Sequence, residues 1–402
     1  MTRRESSSQP LLLVVLAGLG MVGPFSIDMI FPAFAQMSDA LGVTDFALQQ
    51  LLSAYLVAFA VMSLFHGPIS DAVGRKRVII AGLLVYAAAS VASALAPGFG
   101  TLVALRAVQG ASAGAGQIIS RAVVSDLFHG QRAQRVMSHI AMIFGLAPAL
   151  APIVGGWLLL AGDWRVMYWF LAAFGLVLVL LTVLFLPESH PAGARSPLRL
   201  RPLLTSLWAV WRHRDGRRLA LAGMFNFAGM FTLISSAPLF VVGLLGGGEQ
   251  DFWVLFVPLI GGMVAGSFVS GRAAGLMPPR AMASLGYRIS LVGGLLNLAL
   301  ALLPATQGLP WAVLALPVYT FGVALAFPVL TLEMLQLFPQ ARGAASSVQS
   351  FVQLSFNAVI AGVIAPLVAA SVAGLAATAV GLTVVGWLGW RRHLAKAARE
   401  GA

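Results

Sequence analysis

Long apolar runs, each close to the length of a membrane-crossing helix, repeat along the whole chain between short clusters of charge, proline and glycine. A bilayer core about 30 Å thick is crossed by roughly 20 helical residues, so each run predicts one spanning helix. Twelve are found, over about residues 11–36, 46–66, 78–95, 101–124, 136–160, 165–186, 218–244, 252–271, 282–303, 310–336, 343–370 and 374–390. The first follows Arg3 and Arg4, as in a signal peptide, but its apolar stretch is too long for one and holds Asp28, so a retained helix is expected. The longest break opens at Pro187-Glu188, and seven arginines lie from Arg195 to Arg218. It divides the chain into an N-terminal six-helix half (1–186), a basic cytoplasmic linker (187–217) and a C-terminal six-helix half (218–402). Within it Leu200, Leu203, Leu204, Leu207, Trp208 and Trp211 recur at helical spacing beside Arg201 and Arg212. That spacing fits a helix in the membrane interface, with a solvated linker as the alternative.

Basic residues fall in alternate connections: Arg75-Lys76-Arg77, Arg132 with Arg135, Arg195 to Arg218, Arg272 with Arg280, Arg342, and Arg391, Arg392, Lys396 and Arg399. The connections between them carry Asp39, Asp45, Asp163, Glu249 and Asp251, with Arg165 the basic exception. Positive loops stay cytoplasmic, so a multi-pass protein of a bacterial inner membrane with both termini in the cytoplasm is expected. Composition agrees: 59% of residues are hydrophobic and 9% charged, where soluble domains carry roughly a quarter charged. The net charge of +12 is split by apolar spans into separate loops, which argues against a nucleic-acid partner. With no cysteine, disulfides, thiolate metal sites and cysteine nucleophiles are excluded. The sequence holds no phosphate-binding Gly-Lys-Ser/Thr loop, hydrolase nucleophile elbow or zinc-protease histidine pair, so neither ATP-driven transport nor an enzyme is expected.

The segment Gly67-Pro68-Ile69-Ser70-Asp71-Ala72-Val73-Gly74-Arg75-Lys76-Arg77 places a carboxylate, a turn glycine and three cations at a membrane edge after the second span. It closely resembles the loop signature of the major facilitator superfamily. A fainter echo, Gly266-x-x-x-Ser270-Gly271-Arg272, follows the eighth span, where a parallel repeat would put it. The resemblance implies a fold of two six-helix halves around a central cavity. It also implies a cytoplasmic gate of Gly67, Asp71, Gly74, Arg75 and Arg77, with Asp71 meeting the N-terminal end of the eleventh helix.

Arg106, Gln109, Gly110, Ala113, Gln117 and Arg121 step by three or four along the fourth helix and form a polar stripe, which lipid cannot solvate. Leu105-Arg106-Ala107-Val108-Gln109-Gly110 is similar to the second signature of proton-coupled members, and Arg121 to Asp126 to the end of the fourth helix in drug exporters of the Bcr/CflA type. Arg106 needs an anion, and Asp28 is the candidate, being the carboxylate deep inside a predicted span, roughly 26 Å along its helix at ~1.5 Å per residue. Apolar burial and a nearby cation pull a carboxyl's protonation in opposite directions, so the pair can respond to cavity opening. Pro24 and Pro32 bracket Asp28 and should bend the helix or free carbonyls beside it. Ser26 to Ala33 resembles the first-helix motif of the same exporters, although Ile30-Phe31 stands where Tyr-Leu is common. Gly145, Pro148, Pro152, Gly155 and Gly156 share one small-residue face of the fifth helix, similar to the antiporter signature, where that face packs between halves.

Tyr55, Gln109, Gln117, Asn226 and Phe231 are candidates for an amphipathic-substrate cavity, as are Phe225, Asn297, Tyr319 and Asn357, with core packing the alternative for each. Glu333 is placed to pair with Arg342 or Arg288, as a gate or a solvated helix end. His66 and His139 are expected near the interface, and no metal spacing is present. The expectation is a monomeric proton-coupled carrier that exports small amphipathic compounds by alternating access, using the proton gradient and no cofactor. The alternatives are a proton-coupled importer of a nutrient or metabolite on the same fold, and a membrane scaffold or intramembrane enzyme.

Overall fold

The computed structural model describes residues 9–128, 130–195, 198–273 and 276–400. Arg3 and Arg4 lie outside the described residues, as do the side chains of Arg132, Arg135, His139 and Arg399. The described chain is helical, and twelve long segments match the twelve apolar runs. They are α1 (Leu11–Leu41), α2 (Asp45–Ser63), α3 (Arg75–Ala94), α4 (Phe99–Leu127), α5 (Gly130–Leu158), α6 (Arg165–Phe185), α7 (Arg214–Ser235), α8 (Trp253–Ala273), α9 (Pro279–Leu302), α10 (Trp311–Leu337), α11 (Arg342–Val368) and α12 (Val372–Glu400). Among the described residues, all but α4 and α5 are both long and apolar enough to cross a bilayer by composition. In α4 the polar stripe around Arg106 dilutes the hydropathy, and in α5 the apolar part is Gly145–Leu158. The alternating polarity and the length of these elements make the chain a multi-pass membrane protein.

Helix ends follow local chemistry. Thr44 caps α2, its Oγ1 accepting from Ala47 N at 3.3 Å, with Asp45 in the first turn. α1 is interrupted: its first piece ends at Asp28, a short 3-10 turn spans Phe31–Ala33, and helix resumes over Phe34–Leu41. The ring of Pro32 supplies no N–H to the carbonyl four residues before it, which is that of Asp28, so the ladder lapses at the acid.

The chain forms two compact units, Met1–Arg199 and Leu200–Ala402. In the first, α4 packs on α2 and α3, α3 on α6, and α1 on α4, α5 and α6. In the second, α10 packs on α8 and α9, α9 on α12, and α7 on α10, α11 and α12. Each pairing of the first unit recurs six helices later, the mark of a duplicated six-helix motif. Glycines allow the close approaches: a Cβ on Gly110 would overlap the Tyr55 carbonyl, and one on Gly262 the carbonyl of Pro317.

Candidate functional site

The first unit encloses a polar cluster on five helices. Asp28 ends the first piece of α1 and is 3% exposed, and its Oδ1 has no hydrogen-bond partner. Asp28 belongs to the last turn of this piece, the end where the helix dipole disfavours an anion. Arg106 of α4 is fully buried. Its Nε donates to Leu51 O at 3.4 Å, its Nη1 donates to Gln109 Oε1 at 3.1 Å, and its guanidinium lies 4.6 Å from the centre of the Tyr55 ring. Gln109 Nε2 in turn donates to Ser90 Oγ at 2.8 Å, and Ser26 Oγ meets the Tyr86 hydroxyl at 2.6 Å. Tyr55 lies within electrostatic reach of both Arg106 and Asp28. Arg106 Nη2 and the Tyr168 hydroxyl are buried without a partner, and the buried Tyr55 hydroxyl, near Ser26, makes no hydrogen bond in good geometry.

The expected pairing of Asp28 with Arg106 is corrected: no ion pair within 4.0 Å joins them among the described residues. Arg106 is seated on an aromatic face, a carbonyl and an amide, so its charge is compensated on the α2 side, away from a direct bridge. The face of α5 lies beside the acid. A Cβ at Gly155 would overlap the carbonyl oxygen of Met29, the residue after Asp28. Gly145, Pro152 and Gly156 are buried and Pro148 is half-buried.

At the end of the first unit that carries the basic loops, Arg75 is a hub. Its Nη1 binds Asp71 and donates to Ser70 Oγ at 2.6 Å, and its Nε reaches Asp126 Oδ2 at 3.2 Å. Ser189 Oγ donates to the same Asp126 oxygen at 2.9 Å. Gly74 has φ +114°, and a Cβ there would strike the Glu188 carboxylate and Arg195. Glu188 Oε1 accepts from Arg75 N at 2.9 Å, so an acid from beyond α6 caps the positive end of α3. Gly67 has open space around it, and its carbonyl accepts from Ser70 Oγ at 2.7 Å. Arg77 is exposed and makes no ion pair among the described residues.

In the second unit Asn226 is fully buried, its Nδ2 donating to Val323 O at 3.1 Å while its Oδ1 lacks a partner. Phe231 is buried beside Phe227. Phe225 is half-buried against Phe356, the Tyr319 hydroxyl meets Thr383 Oγ1 at 2.9 Å, and Asn297 and Asn357 are buried with unpartnered Oδ1 atoms. Gln117 in the first unit is half-buried. Ser270 donates to the sulfur of Met282 at 3.4 Å, and Arg272 lies over the Phe268 ring, so the echo of the loop signature does not rebuild the Arg75 hub. Glu333 is also corrected: it takes a forked bond from Arg280 at 3.0 and 3.1 Å and lies 3.7 Å from His393, while Arg288 and Arg342 are exposed. Arg280 opens α9 next to α10, and α12 brings His393, neighbours that linear spacing does not reveal. His66, expected at the interface, is buried against Gly114, with Nδ1 unpartnered.

Sequence reasoning missed Tyr86, Ser90 and Tyr168 in the buried cluster, and Asp126 and Glu188 as partners of Arg75. The signal available was polar residues inside apolar runs, Tyr86 and Ser90 standing one turn apart in α3.

Duplicated six-helix units with a buried acid on the first helix and a charged hub after the second define a class of membrane carrier. The sequence profile described as "Major Facilitator Superfamily" matches residues 16–366, and the chain belongs to that family. A bicyclomycin resistance protein homolog of Haemophilus influenzae is 28% identical over 90% of this chain and 91% of its own length. Multidrug resistance protein D of Escherichia coli is 28% identical over 96% of each chain. Among solved structures, a D-xylose-proton symporter superposes with a TM-score of 0.72 at 15% identity, covering 94% of this chain and 97% of its own. A bacterial homolog of the human lysosomal transporter Spinster, inward-facing and unoccupied, gives 0.71 at 15% identity over 98% of each chain. These two likenesses concern the fold.

Proposed function

We propose that this chain is a proton-coupled secondary transporter that exports small amphipathic compounds by alternating access. It works as a monomer in a bacterial inner membrane, with both termini cytoplasmic and the proton gradient in place of a cofactor. The observation that carries the reading is the Asp28 carboxyl, buried at a helix break with an unpartnered oxygen. A buried acid without a fixed counter-ion can hold a proton and yield it when a cationic or hydrogen-bonding substrate arrives or the site becomes wet. The compound class is supported by relatives named for bicyclomycin and multidrug resistance. Arg106 is held by Leu51, Gln109 and Tyr55 and so leaves the acid without an ion-pair partner, and the Asp71-Arg75-Asp126 hub is the inner gate. Of the substrate candidates in the first unit, Tyr55 and Gln109 are fully buried, which leaves half-buried Gln117 as the one able to meet a compound.

The test is a drug-susceptibility panel in a pump-deficient host. Wild type raises tolerance to several amphipathic compounds and Asp28→Asn, expressed to the same level, does not. In purified protein, substrate releases protons, and the release disappears in Asp28→Asn; release that persists would overturn the assignment of the acid. Vesicles loaded with substrate lose it under an inward proton gradient, whereas accumulation under that gradient would make the chain an importer.

A further inference from the structure

The helix Leu200–Arg212, which precedes α7, has one apolar edge covered and another bare. Leu207 and Val210 are buried, and the helix packs on α11 and α7. Leu200, Leu204 and Trp208 follow at i, i+4 and i+8 and are 55%, 53% and 59% exposed. Three large apolar side chains in one row are a continuous strip along about two turns. Arg201 and Arg212 come next around the helix, both exposed, and Arg214 and Arg217 are exposed just beyond it. None of these four arginines joins an ion pair among the described residues. The acid in the stretch, Asp215, is already held by Arg218 at 3.1 Å and Lys396 at 2.6 Å. The strip is not a loose linker: His213 Nδ1 accepts from Gly216 N at 3.3 Å, and the His213 ring meets Phe338 edge-on at 5.3 Å, fixing how the helix leaves the bundle.

An apolar row with a tryptophan, bordered by unpaired arginines, matches one surface in shape and charge. We propose that the Leu200-Leu204-Trp208 edge docks on an anionic lipid leaflet, its side chains at the acyl boundary and Arg201, Arg212, Arg214 and Arg217 on lipid phosphates. A second copy of the chain would face the same arginines with like charge, which disfavours self-association at this edge.

The natural chain has no cysteine, so single cysteines can be placed for a polarity-sensitive fluorophore in the full-length protein. Leu204→Cys reports the bare edge and Ser206→Cys an exposed polar position about 200° further round the helix, away from the arginine row. In nanodiscs containing phosphatidylglycerol, the label at 204 is quenched by a nitroxide lipid. It is shielded from aqueous iodide at least about threefold relative to the label at 206. Shielding weakens in phosphatidylcholine alone and at high salt. Each arginine near an anionic surface contributes about fivefold in partitioning, so Arg201→Gln with Arg212→Gln cuts the phosphatidylglycerol preference by about tenfold or more. Equal iodide access at the two labels overturns docking. Shielding that ignores lipid charge and salt overturns the anionic assignment. Shielding that rises with protein concentration in detergent assigns the edge to a second copy and also overturns the proposal.

Discussion

Replacing Tyr55 separates two things the residue does in the buried cluster. Its ring seats the fully buried Arg106 guanidinium, 4.6 Å from the ring centre, and its hydroxyl is buried with no partner in good geometry. A desolvated cation on an aromatic face is worth about 2 kcal/mol, and a buried unpartnered hydroxyl costs about 1–3 kcal/mol. Tyr55→Phe keeps the seat and removes a hydroxyl whose one polar neighbour, Ser26, is already bonded to Val22 O and Tyr86, so stability should stay within about 1 kcal/mol of wild type, about 2 °C in melting temperature. Tyr55→Leu loses the seat and part of the packing, so a loss of about 3–4 kcal/mol is expected. If the hydroxyl instead serves a second conformation, in which Asp28 is ionised and needs a donor, Tyr55→Phe lowers efflux while leaving stability intact. The assay pairs thermal inactivation of purified protein with efflux from loaded vesicles. A Phe variant that melts several degrees lower would refute the reasoning, because the hydroxyl would then have to be hydrogen-bonded; a Leu variant as stable as wild type would refute the seat.

Two further outcomes follow from the geometry. Arg75→Lys keeps a charge but cannot reach Ser70, Asp71 and Asp126 at once from two sides of a fork; because Asp71 is 44% exposed its share is discounted, leaving a loss of about 1–2 kcal/mol, read as a lower inactivation temperature and refuted by one that does not move. Gly155→Ala drives a methyl group into the Met29 carbonyl and should cost about 1–3 kcal/mol and depress efflux, whereas the same change at open Gly67 should leave stability within about 0.5 kcal/mol; equal effects in a thermal and efflux comparison would contradict the packing of α5 on α1.

The helices were legible because lipid enforces a simple code: apolar runs of bilayer length become helices, and each of the twelve runs is one. Asp28 and Arg106 stood out for the same reason, since charge inside such a run is conspicuous. Their relationship was not legible. Whether a buried arginine takes a carboxylate, a carbonyl or an aromatic face depends on how neighbouring helices are rotated, and the Leu51 carbonyl and the Tyr55 ring carry no polar flag in the sequence. Glu188 and Glu333 were visible as charges, but their partners Arg75 N, Arg280 and His393 lie on helices brought together only by packing. Tyr86, Ser90 and Tyr168 were hidden by their ordinariness, since such residues serve equally well as packing.

The lapse in α1 at Asp28 gives the first helix a joint. A continuous helix resists bending because every turn is tied to the next; here the tie from residue 32 to the Asp28 carbonyl is missing, and shorter bonds such as Ala33 N to Ile30 O at 3.1 Å hold the turn in its place. Under the proposed reading, a proton held or released at that carboxyl changes the charge at the one point where the first helix has lost this tie.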